Sequence, residues 1–140
     1  MLAFILAAMS LLSPGRDHTE LGKAIADVVQ ENGCLYVGKD CERRTSAMLV
    51  AIAFRESSFR IDAENKKEGS VCAFQIWKGN RRLLSDPAAC TLAGYLKLKE
   101  SLHACGTMAG YASGSCTNAA GIRIDRDRKS IAARLLAKVL

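Results

Sequence analysis

Apolar and polar positions along the chain recur mostly at helical spacing. Leu21, Ala24, Ile25, Val28 and Val29 repeat every three or four residues, predicting an amphipathic helix. It begins after the turn Ser13–Thr19, with Asp17 or Thr19 as cap, and ends near Asn32-Gly33. From Ala47 to Phe54 the chain is apolar almost without a break, so a helix capped by Thr45 or Ser46 and running to about Arg55 must be covered on every side. Ile61–Ser70 is polar and ends in Gly-Ser, which predicts a loop, whereas Ala73–Trp77 suits either a helical turn or a small strand. Asp86-Pro87 sets a capping carboxylate before a proline at the first helical position, and that helix is expected to stop near Gly106. A short element around Met108–Tyr111 follows. Asp127–Leu140 then closes the chain as a basic amphipathic helix with Ile131, Leu135 and Val139 on one side. Period-two alternation is nearly absent and no linker or repeat divides the sequence. The pattern is that of a mainly α single domain built on a central buried helix.

Length agrees with one domain: 140 residues bury roughly two thirds of the surface the unfolded chain exposes. The first twelve residues, MLAFILAAMSLL, are apolar but lack a leading Lys or Arg, and A-M-S matches a cleavage site poorly. An export signal, a first core helix and a membrane-surface anchor all remain open for residues 1–15, which are set apart from the folded domain 16–140. Twelve residues are too few to span a bilayer.

Cysteine usage narrows the compartment. Cys34, Cys41, Cys72, Cys90, Cys105 and Cys116 are even in number and include no C-x-x-C pair, and the two histidines, His18 and His103, are far apart. Disulfides therefore explain them better than zinc. Fifteen connectivities are possible, and the gaps favour an un-nested set in which 34 joins 41, 72 joins 90 and 105 joins 116. Each such loop contributes roughly 2 to 3 kcal/mol by chain entropy, and the set implies an oxidising compartment, periplasmic or extracellular. A formal charge of +6 favours an anionic partner, whether nucleic acid, anionic membrane or wall polymer. The chain lacks the interleaved aromatics that single strands need, so nucleic acid is not expected.

The chemistry centres on F-R-E-S-S-F-R, Phe54 to Arg60, where the buried helix meets charge. Desolvation and the negative helix end both favour the protonated form of Glu56, provided that Arg55 and Arg60 point to the surface. A protonated acid in a cleft is what glycosidic cleavage needs, because the leaving oxygen must receive a proton.

Four segments in order, E-S-S-F (Glu56–Phe59), G-S-V-C-A-F-Q-I (Gly69–Ile76), D-P-x-x-C-x-x-x-G-Y-L (Asp86–Leu96) and A-G-Y-A-S-G (Ala109–Gly114), resemble the lysozyme superfamily, in its soluble lytic transglycosylase and goose-type lysozyme branch. The resemblance spans about Thr45 to Gly114, half of the chain. It implies a lysozyme-like catalytic domain in which Glu56 is general acid and base and Ser57 holds the helix end. Phe74 stands where the family often has Met, Gln75 bonds sugar or cleft backbone, and Tyr111 donates a hydrogen bond near the acid. Cys72 replaces a family Gly, Ala73 a Leu and Ala112 an Asn. The single tryptophan, Trp77, is expected to fill core rather than stack on a sugar, and the basic C-terminal helix to be a solvated face.

What the resemblance implies is cleavage of the MurNAc–GlcNAc β-1,4 linkage of peptidoglycan by a monomer that uses no metal or cofactor. Asp62, Glu64 and Glu68 are the candidates for a second carboxylate, and no motif recommends any of them. A lytic transglycosylase, which manages with one acid and forms 1,6-anhydro-MurNAc, is therefore expected ahead of a hydrolytic muramidase or a non-catalytic wall-binding module. Export to the periplasm or exterior, or carriage by a phage particle, would suit this work.

Overall fold

A computed structural model describes residues 1–140. Six helices, α1 (Leu2–Leu12), α2 (Thr19–Asn32), α3 (Cys41–Ser57), α4 (Pro87–Cys105), α5 (Ala109–Ser113) and α6 (Ala119–Lys138), enclose the core, and three two-residue strands form a small sheet. The strands β1 (Glu64–Asn65), β2 (Ser70–Val71) and β3 (Ile76–Trp77) pair antiparallel in that order. Glu64 lies opposite Val71, and Ser70 opposite Trp77.

Helix α3 is the axis of the fold. Every residue from Thr45 to Ala53 is buried, as a helix apolar on all sides requires, and α1, α2 and α6 pack around it. The apolar N-terminal segment is α1, which seats Phe4, Ile5, Ala8 and Met9 in the core. Its neighbour α2 also packs on α4, and α5 lies between α4 and α6. Ile131, Leu135 and Val139 face inward at the chain's end.

Caps account for several boundaries. The Asp86 carboxylate accepts the Ala89 N–H at 2.9 Å and Pro87 opens α4. Gly106, with φ of 68°, ends it in the left-handed conformation that costs glycine least. At α6 the Asn118 side chain accepts from Ala120 N–H at 2.9 Å, so the last helix starts eight residues before the expected Asp127. Helix α3 likewise starts at Cys41, ahead of the expected caps. Thr45 is interior; its hydroxyl donates to the Cys41 carbonyl and accepts the Leu35 N–H, which ties the preceding loop to the helix. The segment 61–70, expected to be loop, contributes β1 and the first residue of β2, and a 3-10 turn, Arg81–Leu84, joins the sheet to α4.

The disulfides pair as the gaps suggest: Cys34–Cys41, Cys72–Cys90 and Cys105–Cys116. The second ties the β2–β3 turn to the start of α4, and the third ties the end of α4 to the segment after α5. Two glycines permit close approach. A Cβ on Gly94 would fall 2.5 Å from the Phe74 ring, and one on Gly121 would fall 2.6 Å from the Ala109 carbonyl oxygen. The first lets Phe74 lie against α4, and the second lets α6 run against α5. No helix is long and apolar enough to cross a membrane.

Candidate functional site

Glu56 occupies the last turn of α3, which stops because Ser58 and Phe59 both take positive φ, 53° and 64°. Phe59 then turns back into the core against the rings of His18 and Phe54. Arg60 and Arg16 donate to the carbonyls of Ser57 and Ser58, placing cations at the negative end of the helix. Ser57 is buried and its hydroxyl donates to the Ala53 carbonyl at 3.0 Å. That side chain is turned along its own helix and does not line the cleft that Glu56 faces.

The cleft measures about 910 Å³. Asn65, Glu68, Ser70, Ile76 and Trp77 line it from the sheet region. Lys97 of α4, the stretch Gly110–Gly114 and the α6 residues Ile124 and Arg128 complete it with Glu56 and Gln75. Three residues singled out in separate sequence segments, Glu56, Gln75 and Tyr111, thus meet at one concavity.

Phe74 is fully buried and packs on Gly94, so only its backbone serves the site: its carbonyl accepts the Tyr111 hydroxyl at 3.0 Å. The Tyr111 phenol is therefore engaged by main chain rather than by the acid. Burial, reinforced by the negative charge of Glu56 and opposed by Arg128, pushes its pKa well above the usual tyrosine range. Gln75, at φ of 48°, donates its amide to the carbonyls of Cys72 at 2.9 Å and Ala63 at 3.2 Å, holding the hairpin that forms the sheet wall. Trp77, expected in the core, is 63% exposed at the cleft edge with Lys78 over its ring. Ile76, next to it on β3, packs against the core, and alternation along the strand sends the indole to the opposite, open face.

Of the three candidate second carboxylates, Glu68 alone lines the cleft. Asp62 is exposed, and Glu64 pairs with Arg81.

The environment of Glu56 contains a cation that sequence reasoning missed. Arg128 reaches Glu56 Oε1 at 3.3 Å, and its other terminal nitrogen holds Asp127 at 2.7 Å. Glu56 keeps only 22% of its side-chain exposure and Arg128 12%, so the pair is largely removed from water. Arg55, flagged as a possible inward charge, instead forms a two-bond contact with Asp127. Burial raises the pKa of Asp127, but the hydrogen bonds and charges of Arg128 and Arg55 outweigh it and hold the carboxyl below the usual range. No local signal marks Arg128: it lies 72 residues from Glu56 in a helix rich in surface cations. Lys97 did carry a signal. It falls three residues after buried Gly94 and four before buried Ser101, a charged residue on an inward stripe of α4.

Compared with protein-family models, curated proteins and solved structures, the chain shows no significant match to any of them.

Proposed function

We propose that this protein cleaves the glycan strands of peptidoglycan at the MurNAc–GlcNAc β-1,4 linkage, as a lytic transglycosylase in which Glu56 acts first as acid and then as base. The observation that carries the reading is the meeting of Glu56, Gln75 and Tyr111 in one saccharide-sized cleft. A backbone detail adds to it. Cys72, which stands where the resembling family has Gly, has φ of 66°, a conformation that glycine adopts most readily.

In the proposed reaction Glu56, paired with Arg128 in the free protein, takes up a proton from solvent as the strand binds and gives it to the glycosidic oxygen as the bond from the muramic C1 breaks. Arg128, already at its Oε1, stabilises the carboxylate so formed. The muramic C6 hydroxyl then attacks C1, its proton passes to Glu56, and a 1,6-anhydro ring closes with the acid regenerated. Trp77 offers an exposed indole face on which a sugar ring can stack at the cleft edge. The three disulfides suit export to an oxidising compartment.

Glu68 favours a second reading, because a hydrolase using two carboxylates would have both in this cleft. Variants separate the two. With turbidity of a peptidoglycan suspension as readout, Glu56→Gln abolishes clearance on either route, whereas Glu68→Gln leaves it within about threefold for a single-acid enzyme. A loss of roughly a hundredfold or more with Glu68→Gln would assign the hydrolytic route instead. Clearance unaffected by Glu56→Gln would remove the catalytic reading altogether.

A further inference from the structure

Among the charged side chains lining the cleft, Glu56 is met by Arg128, and Glu68 is exposed to solvent near the hairpin tip. Lys97 is left over. It forms none of the molecule's five ion pairs and makes no hydrogen bond, yet it is half-buried, with its ammonium 4.4 Å from the centroid of the Tyr111 ring. A lysine with a flexible stem ordinarily extends its charge into water. Holding it over an aromatic ring inside a concavity leaves a directed cation with no anion in contact, an arrangement whose desolvation cost a ligand carboxylate would offset. The Arg128 guanidinium lines the same cleft, and its Nε is buried with no partner. Burial lowers the pKa of Lys97 and the nearby charge of Glu56 opposes that shift, which places acid and lysine within electrostatic reach of each other.

We infer that Lys97, supported by Arg128, forms a carboxylate subsite beside Glu56, by which the cleft distinguishes muramyl strands from uncharged β-1,4 N-acetylglucosamine polymers. This rests on the glycan-cleaving reading above and specifies its substrate class. The carboxylate has two sources in peptidoglycan: the lactyl ether of a muramic residue stripped of its peptide, or the acidic groups of the stem peptide where one is attached. Both are carboxylates carried by the muramic residue, the lactyl group next to the sugar ring and the stem-peptide groups further out, beyond the amide that consumes the lactyl carboxyl. Lys97 would then set which strand binds, while the exposed Trp77 face contributes affinity that does not depend on charge.

The test uses the full chain and short glycan strands in three forms: denuded, with free lactyl carboxylates; denuded and converted to methylamides; and peptide-bearing. Binding is measured on ice before turnover, and product masses are followed on warming the same samples. The wild type is expected to bind a carboxylate-bearing form on the order of tenfold more tightly than the methylamide form. Lys97→Met erases that preference and Lys97→Arg retains it. Preference for the denuded form assigns the lactyl group; preference for the peptide-bearing form alone assigns the stem peptide. Equal wild-type affinity for charged and amidated strands, with all of them cleaved, overturns the subsite and leaves the functional reading standing. The wild-type comparison needs no variant, so it holds even if Lys97→Met misfolds. Strands neither bound nor cleaved in any form would overturn the functional reading and the subsite with it.

Discussion

Glu56 shares its part of the cleft with a guanidinium, and that contact shapes what each substitution should do. Glu56→Gln keeps the volume and a hydrogen-bond acceptor for Arg128 but has no proton to donate to a leaving oxygen, so turnover should fall by at least about a hundredfold with the melting temperature little changed. Steady-state rates beside a thermal melt check it. Tyr111→Phe acts differently. It strips the Phe74 carbonyl of its only side-chain donor in a buried site, and should cost about 1 to 3 kcal/mol in denaturant unfolding. A variant as stable as the parent would mean that water or a neighbour replaces the phenol. At this scale the acid, the amide and the phenol were legible because each sits in a recognisable short segment. Arg128 was not, since the contact joins two helices distant in sequence and one more arginine in a basic helix carries no mark.

At the scale of elements, local chemistry and tertiary demand separate cleanly. The start of α4 was readable from Asp86 and Pro87, and its end from Gly106, because those residues act on their own backbone. The start of α6 was hidden. Asp125 is a buried carboxylate that accepts the Met108 N–H and pairs with Lys129, so the inward face of that turn is polar and the apolar period is silent. The strands, two residues each, are too short for a period to register. Contact between elements yields two predictions. Gly94→Ala would drive a Cβ into the Phe74 ring, and we expect a loss of about 1 to 3 kcal/mol together with reduced activity, since Phe74 carries the carbonyl that holds Tyr111. An unchanged urea midpoint would show that the ring shifts freely. Removing the Cys72–Cys90 bridge by paired serine substitution frees the cleft hairpin from α4 and should cost roughly 3 kcal/mol by loop entropy. The same unfolding measurement reads it.

Across the whole molecule, the tyrosines set an alkaline limit. Burial, with a smaller push from Asp125 and a pull from Arg44, raises Tyr36 to about 12, and Tyr111 is raised well above its ordinary value. In the unfolded chain both ionise near 10. Above that pH the unfolded state sheds protons that the folded state keeps, so the stabilisation is complete below pH about 10 and is lost as pH climbs through the folded values. The urea-unfolding free energy should therefore drop by more than about 1 kcal/mol between pH 9 and 11. A flat profile over that range would show that the phenols titrate freely. The mainly helical architecture, the central buried helix and the three disulfides were all within reach of the sequence, because they follow from periodicity and cysteine spacing. The exposed position of Trp77 was not, since only the sheet topology determines which strand faces become wall and which remain open. The account's central claim, that a single acid breaks the glycan and the sugar's own hydroxyl closes on it, is tested most directly by the mass of the soluble fragments released from purified peptidoglycan. Fragments one water lighter than the hydrolytic products, and absent with Glu56→Gln, are what it predicts; fragments at the full hydrolytic mass, or none at all from the wild-type protein, would contradict it.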